Sequence, residues 1–264
     1  MRRILFVLLL IVTNLMGCST NENYRVDDIR VFENTPVWKL AKAIDKHDIK
    51  EVEKLLKKNP DWVDYQEPEY GVTLLYWTIF NTPSKRSWEE TFYKESKLLI
   101  AYGANPYQLN QSGYFPLQKA ADIYKESKQF IELCLSSEQT KDLSDSVKKF
   151  MLNETLLVAC GRVKPEEVES VKLLVEHGAN VNYFNADSTA TPFCESITHG
   201  NMNTAKYLIM EQGAEYDIYV KRMVDGVKMS MLKRLLDLDY SEEPEKQKLK
   251  EELVLWIEQQ ENEN

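Results

Sequence analysis

The sequence predicts an all-α repeat solenoid, and three observations support this prediction. A helix-terminating pattern, an apolar stretch followed by Gly-Ala, recurs along the chain. It stands at residues 97–106 (KLLIAYGANP), 171–182 (VKLLVEHGANVN) and 206–215 (KYLIMEQGAE), with a worn copy at 52–60. Glycine just past a helix end fits the left-handed backbone conformation that any Cβ makes costly. Gly178 and Gly213 are 35 residues apart, with two amphipathic helices between them, and such a period is typical of stacked helical repeats.

The first two units follow a polar N-terminal segment. Unit one spans residues 36–60, where apolar residues three and four apart indicate one face on each of two helices. Unit two has a first helix at 74–80 and then an insertion at 81–90, which we expect to form a loop. Its second helix ends at Gly103. Both units therefore consist of a helix pair.

Three further units open at residues 113–121, 153–160 and 191–196. A charged spacer at 136–149 precedes unit four. Thr73, Thr155 and Thr191 stand at unit openings, and we expect them to cap the first helices, because a threonine hydroxyl accepts an otherwise unpaired backbone N–H. The prolines at several openings suit the first turn of a helix.

The C-terminal part predicts a degenerate sixth unit and a terminal cap. The sixth unit covers residues 222–238, and a last helix follows from Ser241. Leu249, Leu253, Trp256 and Ile257 fall on one face of that helix, while its other face is Lys and Glu. Such a helix closes the core of a repeat stack. A helix lying on a membrane surface is the alternative.

These openings and helix stops resemble the ankyrin repeat over residues 36–240, most closely in units four and five. The resemblance implies an ankyrin-repeat solenoid of about five to six helix pairs, with residues 241–264 as capping helix and tail. It also implies a module that binds another protein. No unit has the histidine of the usual Thr-Pro-Leu-His opening. Its positions are taken by Ala41, Tyr76, Gln118, Val158 and Cys194.

The N-terminus is typical of an export signal. Arg2 and Arg3 precede an apolar run at 4–12, which is too short to cross a bilayer as a helix. Leu15-Met-Gly-Cys18 resembles the lipobox of bacterial lipoproteins. The resemblance implies removal of residues 1–17, lipidation of Cys18 and a flexible tether over 18–35. Ser19 after the cysteine then implies sorting to the outer membrane and a periplasmic location. An ordinary signal peptide with a chance cysteine is the alternative.

The charge and the cysteines narrow the range of partners. Without Arg2 and Arg3, 31 of the 33 basic residues remain against 42 acidic ones, a formal charge of −11. This balance disfavours nucleic acid and anionic lipid headgroups. Cys134, Cys160 and Cys194 are odd in number and lack zinc-site spacing, so we expect buried free thiols, whose redox state stays open.

No catalytic motif is found, so we expect neither an enzyme nor a metal or cofactor site. His47, His177 and His199 fall at repeat turns, where structural roles are expected. What remains is a binding surface of aromatic residues in the turns and in the insertion, because such residues are favoured at interfaces. The candidates are Tyr70, Trp88, Tyr107, Tyr114, Tyr183, Phe184 and Tyr216.

The sequence leaves three hypotheses for the function. The first is a lipid-anchored periplasmic interaction module. The chain is similar to lipid-anchored ankyrin immunity proteins, which implies a partner such as a lipase toxin delivered by type VI secretion. The second is a structural or accessory envelope scaffold that supports a periplasmic enzyme or assembly. The third, an enzyme, would need a cleft with convergent carboxylates and histidines.

The lipidation hypothesis predicts that Cys18→Ser releases the protein from membranes or leaves it unprocessed. Membrane fractionation and the mass of the mature protein check this, with wild-type chain as the control. Unchanged fractionation together with unchanged mass would contradict it.

Overall fold

The computed structural model describes residues 24–82, 86–123, 127–161, 168–185, 190–221 and 228–263. The expected signal peptide, Cys18 and the start of the tether lie outside these ranges. The described helices form five successive pairs. The pairs are α1 (Trp38–Asp45) with α2 (Ile49–Lys58), α3 (Leu74–Phe80) with α4 (Arg86–Ala101), α5 (Pro116–Asp122) with α6 (Ser127–Leu135), α7 (Asp145–Gly161) with α8 (Val168–Glu176), and α9 (Pro192–Thr198) with α10 (Met202–Lys206).

The pairs are layered in sequence order. The first helices α3, α5, α7 and α9 pack side by side, and the second helices α4, α6, α8 and α10 form a parallel row. Leucine, isoleucine and phenylalanine side chains from both rows share one continuous core. No pair covers its own apolar faces, so each layer is stabilised by its neighbours. This layering confirms the predicted all-α solenoid.

The helix ends follow the predicted chemistry in several units. Gly103, Gly178 and Gly213 have φ angles of 97°, 98° and 65°, as the helix-stop pattern requires. The side chains of Thr73 and Thr191 cap α3 and α9. Thr73 Oγ1 accepts from Tyr76 N at 3.2 Å, and Thr191 Oγ1 accepts from Cys194 N at 3.2 Å.

Thr155 is the exception, because it does not begin a helix. It lies in the middle of α7, fully buried, and its hydroxyl donates to the carbonyl of Met151 at 2.8 Å. α7 begins instead at Asp145, inside the segment expected to be a spacer. The Ser144 side chain accepts from Val147 N at 3.4 Å there, and Asp145 suits the positive end of the helix dipole. The prediction of a cap at Thr155 was wrong because a better cap lies upstream.

The insertion in unit two is also helical over its second half, residues 86–90. α4 starts at Arg86, so Trp88 lies in its first turn and not in a loop. The Trp88 side chain is outside the described part of the structure. The expectation of a loop at 81–90 was therefore wrong for its second half, since residues 86–90 continue directly into the second helix.

The N-terminal segment is folded from Tyr24 onward, so the predicted tether is too long. A 3₁₀ turn at Ile29–Phe32 buries Val31 and Phe32. Trp77 Nε1 donates to the carbonyl of Asp27 at 3.1 Å, which fixes the segment against α3. The segment packs on unit one through a single four-residue 3₁₀ turn, Ile29–Phe32. A turn this short is not long enough to produce a helical periodicity in the sequence.

The C-terminal end differs from the prediction in its sixth unit, which contains two short strands as well as a helix. Two short strands, β1 (Tyr219–Lys221) and β2 (Lys228–Ser230), pair antiparallel before helix α11 (Met231–Asp237). Residues 222–227 of the predicted unit lie outside the described ranges. The last helix, α12 (Pro244–Glu263), packs against α10 and buries Leu253 and Ile257. No described helix, α12 included, is long and apolar enough to span a membrane.

A buried carboxylate joins units one and two. His47 sits at the turn between α1 and α2 with a φ of 57°, and its Nδ1 lies 3.0 Å from Glu95 Oε1 on α4. Glu95 is fully buried and its Oε2 has no hydrogen-bond partner. Burial raises the pKa of Glu95 to about 7, Asp45 adds to this shift, and contact with His47 opposes it.

Replacement of this carboxylate should change how stability depends on pH. The raised pKa of Glu95 means that the folded state holds its proton more tightly than the unfolded state. The protonated Glu95 side chain therefore contributes stability that is fully present below about pH 4.5. This contribution decreases as the pH rises from 4.5 and is lost as the pH passes through 7. We expect Glu95→Gln to stabilise the protein by about 1–3 kcal/mol more at pH 8 than at pH 5. Thermal unfolding at both pH values measures this.

Glu90→Gln is the matched control on the same helix. Glu90 is exposed and paired with Lys94, so its loss should not produce that pH-dependent gain. An effect of Glu95→Gln that is equal at pH 5 and pH 8 would contradict the prediction.

Candidate functional site

The loops that precede the first helices lie side by side along one edge of the stack. We call this the loop edge, and it comprises residues 61–73, 105–115 and 181–185 with the first two turns of α7, residues 145–150. Direct hydrogen bonds join the first two loops. Gln66 Nε2 donates to the carbonyl of Leu109 at 2.8 Å, and Gln111 N donates to the carbonyl of Tyr70 at 2.8 Å. The first two loops of the loop edge are therefore joined directly.

A repeated contact fixes each loop to its neighbours. The backbone N–H two residues after each helix-stop glycine donates to a side-chain oxygen from an earlier segment. The pairs are Asn105 N with Asp64 Oδ1 at 2.6 Å, Asn180 N with Asn153 Oδ1 at 2.8 Å, and Glu215 N with Asn182 Oδ1 at 2.8 Å. Burial raises the pKa of Asp64, and the bond from Asn105 opposes that shift.

The first loop is held from within by a buried glutamate. Glu67 is 1% exposed, and its carboxylate accepts the backbone N–H groups of Glu69, Tyr70 and Val72 at 2.8, 2.7 and 3.0 Å. Charge-assisted bonds of this kind are among the stronger hydrogen bonds in proteins. The loop edge therefore has a defined shape before any partner arrives.

Exposed apolar side chains are concentrated on this edge. Seven large hydrophobic residues in the described ranges are between 40% and 57% exposed. Five of them lie on the loop edge: Leu109, Tyr114, Val147, Phe150 and Phe184. The other two, Leu236 and Leu255, lie in α11 and α12. Leu109 and Tyr114 share one loop, and Val147 and Phe150 share one helix start, so these exposed apolar residues are grouped and not scattered singly, as is typical of an interaction surface.

The composition of the loops fits protein recognition. Residues 105–115 read NPYQLNQSGYF and contain no charged residue. Asparagine, glutamine and serine provide adaptable hydrogen bonds, and tyrosine provides a large contact area with few rotatable bonds. The loop edge therefore combines apolar contact with hydrogen-bonding capacity.

The predicted binding residues separate into accessible and inaccessible groups. Tyr114 and Phe184 are among the most exposed apolar residues of the loop edge. Tyr107 is only 4% exposed, its hydroxyl lies 2.8 Å from Thr140 Oγ1, and burial raises its pKa to about 12. Tyr107 thus presents no free ring to a partner.

Three further candidates are partly buried. The Tyr70 hydroxyl donates to the carbonyl of Tyr24 at 2.6 Å and holds the N-terminal segment. The Tyr183 hydroxyl donates to Glu154 Oε1 at 2.7 Å and joins its loop to α7. Tyr216 packs against the core. These rings are therefore only partly accessible to a partner.

Leu109, Val147 and Phe150 complete the loop edge but were not predicted from the sequence. Leu109 is a single apolar residue in a polar loop. Val147 and Phe150 belong to the N-terminal turns of α7. The sequence analysis assigned most of these turns to the charged spacer at 136–149 and so did not predict a helix there. The Ser144-Asp145 pair was the available signal, because serine and aspartate are preferred at helix starts.

A groove opens on the face formed by the first helices, next to the loop edge. Its volume is about 240 Å³. Tyr76 and Phe80 from α3, Gln118, Lys119 and Asp122 from α5, and Val158 from α7 line it, together with Tyr114. Tyr76, Gln118 and Val158 are residues at the histidine position of three successive units. Three of the positions at which this chain lacks the usual histidine therefore line the groove.

The groove is mainly aromatic, with one ion pair. The rings of Tyr76 and Phe80 stack at 5.9 Å, and Lys119 Nζ lies 4.2 Å from the Phe80 centroid. Lys119 also pairs with the carboxylate of Asp122. Burial raises the pKa of Tyr76 to about 12, so its phenol is neutral at physiological pH. Gln118 is 8% exposed, and its Oε1 has no hydrogen-bond partner.

The remaining histidine and cysteine side chains contact the backbone or are buried in the fold. His177 Nδ1 and His199 Nδ1 lie 2.8 and 3.0 Å from backbone carbonyls at helix ends. Cys134, Cys160 and Cys194 are buried free thiols whose pKa values are raised by burial, as expected. Across the described ranges, no group of three or more His, Cys, Asp or Glu side chains could hold a metal ion.

The comparisons with known proteins rest on structure alone. No family model and no curated protein matches the chain. The ankyrin repeat domain of Bcl-3, a unique member of the IkappaB protein family, aligns with a TM-score of 0.55 and 19% identity over 74% of this chain and 78% of its own. EF0377, an ankyrin repeat protein, aligns with a TM-score of 0.55 and 21% identity over 83% and 97%.

Identities this low establish the fold and nothing finer. Its layer order, its helix ends and its structural neighbours show that this chain is an all-α ankyrin-repeat solenoid.

Proposed function

We propose that this protein is a lipid-anchored periplasmic module that binds and blocks a type VI secreted phospholipase toxin. The loop edge, with its five exposed apolar side chains, is the observation that supports binding. The lipobox-like sequence at 15–18 supports the anchor and the compartment. The toxin as partner rests on the resemblance to lipid-anchored ankyrin immunity proteins.

Binding alone is sufficient for this function. A phospholipase must admit a lipid to its active-site mouth, and a protein seated over that mouth excludes the substrate without any chemistry of its own. The hydrogen-bonded loops reduce the entropy lost on binding, because they are ordered beforehand. A lipid anchor also raises the local concentration of the module at the membrane where the toxin acts.

Loss of the gene separates this proposal from the envelope-scaffold alternative. We expect deletion cells to be killed by sister cells that deliver the toxin, and wild-type protein to restore survival. Survival in mixed culture is the measurement, with toxin-deficient sister cells as control. A general envelope or oxidative defect, without killing by sister cells, would favour the scaffold.

The proposal predicts that a phospholipase toxin is encoded beside this gene, and substitutions on the loop edge should weaken binding to that toxin. Tyr114→Ala and Phe184→Ala each remove an exposed ring, and loss of such an anchor typically costs about 2 kcal/mol, or roughly 30-fold in Kd. We expect that loss by calorimetry, with little change in Tm because both rings are exposed.

Leu255→Ala is the matched control, since Leu255 is equally exposed but lies on α12. It should leave the affinity unchanged. Equal effects of Leu255→Ala and Tyr114→Ala, or no binding of the phospholipase by wild-type protein, would contradict the proposal.

A further inference from the structure

The groove between α3, α5 and α7 has a size suited to one side chain. Its volume of about 240 Å³ is below the roughly 300–1,000 Å³ of typical small-molecule sites. It adjoins the loop edge through Tyr114, which belongs to both. A partner seated on the loop edge is therefore in reach of the groove.

One buried hydrogen-bond acceptor on a residue that lines the groove has no partner. Gln118 is more than nine-tenths buried, and its Oε1 has no partner. A buried acceptor without a donor is unfavourable, so a ligand that supplies one N–H or O–H gains from it. Oε1 is itself buried from solvent, so contact with an entering donor requires rotation about the terminal torsion of the glutamine, which is soft.

The other walls indicate an aromatic occupant. The rings of Phe80 and Tyr114 line the groove, the largely buried ring of Tyr76 contributes to its wall, and Val158 adds an apolar surface. Lys119 Nζ already lies over the Phe80 ring and is paired with Asp122, so the groove holds a cation whose carboxylate partner is engaged. An entering aromatic ring meets apolar walls and a cation, and both contacts are favourable.

We propose that the groove receives the indole of a tryptophan from the protein partner, an inference that rests on the proposed binding function. An indole is a large apolar ring with a single N–H donor and no acceptor, which matches apolar walls with one unpartnered acceptor. Tryptophan is also enriched among the residues that dominate binding energy at interfaces.

Other side chains fit less well. Arginine brings five donors and a positive charge next to Lys119, and the groove has neither enough acceptors nor a free carboxylate for it. Phenylalanine leaves Gln118 Oε1 unpartnered. Tyrosine supplies a donor but also an acceptor that needs its own partner.

The test uses small probes and the purified mature chain, so it does not depend on knowing the partner. N-acetyl-tryptophanamide is titrated while NMR follows the Val158 methyl groups and the Gln118 side-chain amide. We expect both sets of signals to shift. The 1-methylindole analogue, which lacks the N–H, should bind roughly five- to tenfold more weakly, the size expected for one hydrogen bond.

Gln118→Leu provides the second arm. It removes an unpartnered buried polar atom, so the fold should tolerate it. In this variant the two tryptophan probes should bind equally. In wild type, the amides of N-acetyl-phenylalanine, N-acetyl-tyrosine and N-acetyl-arginine should all bind more weakly than N-acetyl-tryptophanamide.

Equal binding of the methylated and unmethylated probes, tightest binding of the arginine probe, or no shift at the solubility limit would overturn the proposal. The proposed function is judged separately by the loop-edge variants. If Tyr114→Ala and Phe184→Ala still weaken binding to the phospholipase while the probes fail, only the indole inference is lost.

Discussion

The architecture depends on burial between layers, because no helix pair of this chain can cover its own apolar faces. This constraint explains the two ends as well as the middle. At the start, the 3₁₀ turn places Val31 and Phe32 on the open face of unit one. At the end, α12 closes the row of second helices with Leu253 and Ile257. Both closing segments depart from the repeat pattern because they have a neighbour on one side only.

The repeated middle could be predicted from the sequence because local and tertiary requirements agree there. Gly178 must be left-handed whatever surrounds it, and Thr191 caps a helix whose apolar face is also buried. Where the two levels compete, local signals mislead. Thr155 has the same opening pattern as Thr191, yet Ser144 provides an earlier helix start and tertiary packing continues the helix through Thr155.

The candidate site was less predictable, because residue type does not determine exposure. Tyr107 and Tyr114 lie in the same loop, seven residues apart. Tyr107 finds Thr140 across the interface between units and is buried, while Tyr114 finds no such cover. That difference is set by a 3₁₀ turn at Glu138–Asp142, which the spacer between units three and four forms. Single-sequence periodicity does not reveal such a contact.

The absent histidines connect the fold to its surface. Tyr76, Gln118 and Val158 stand where the usual ankyrin opening has a histidine. The layers are linked elsewhere, by Asp64 and Asn182, whose side chains accept backbone N–H groups from the following loops. These bonds join loops without using the histidine positions. The result is a stable stack with a groove beside an apolar edge, and departures from a local rule that coincide with a cleft are where function is expected.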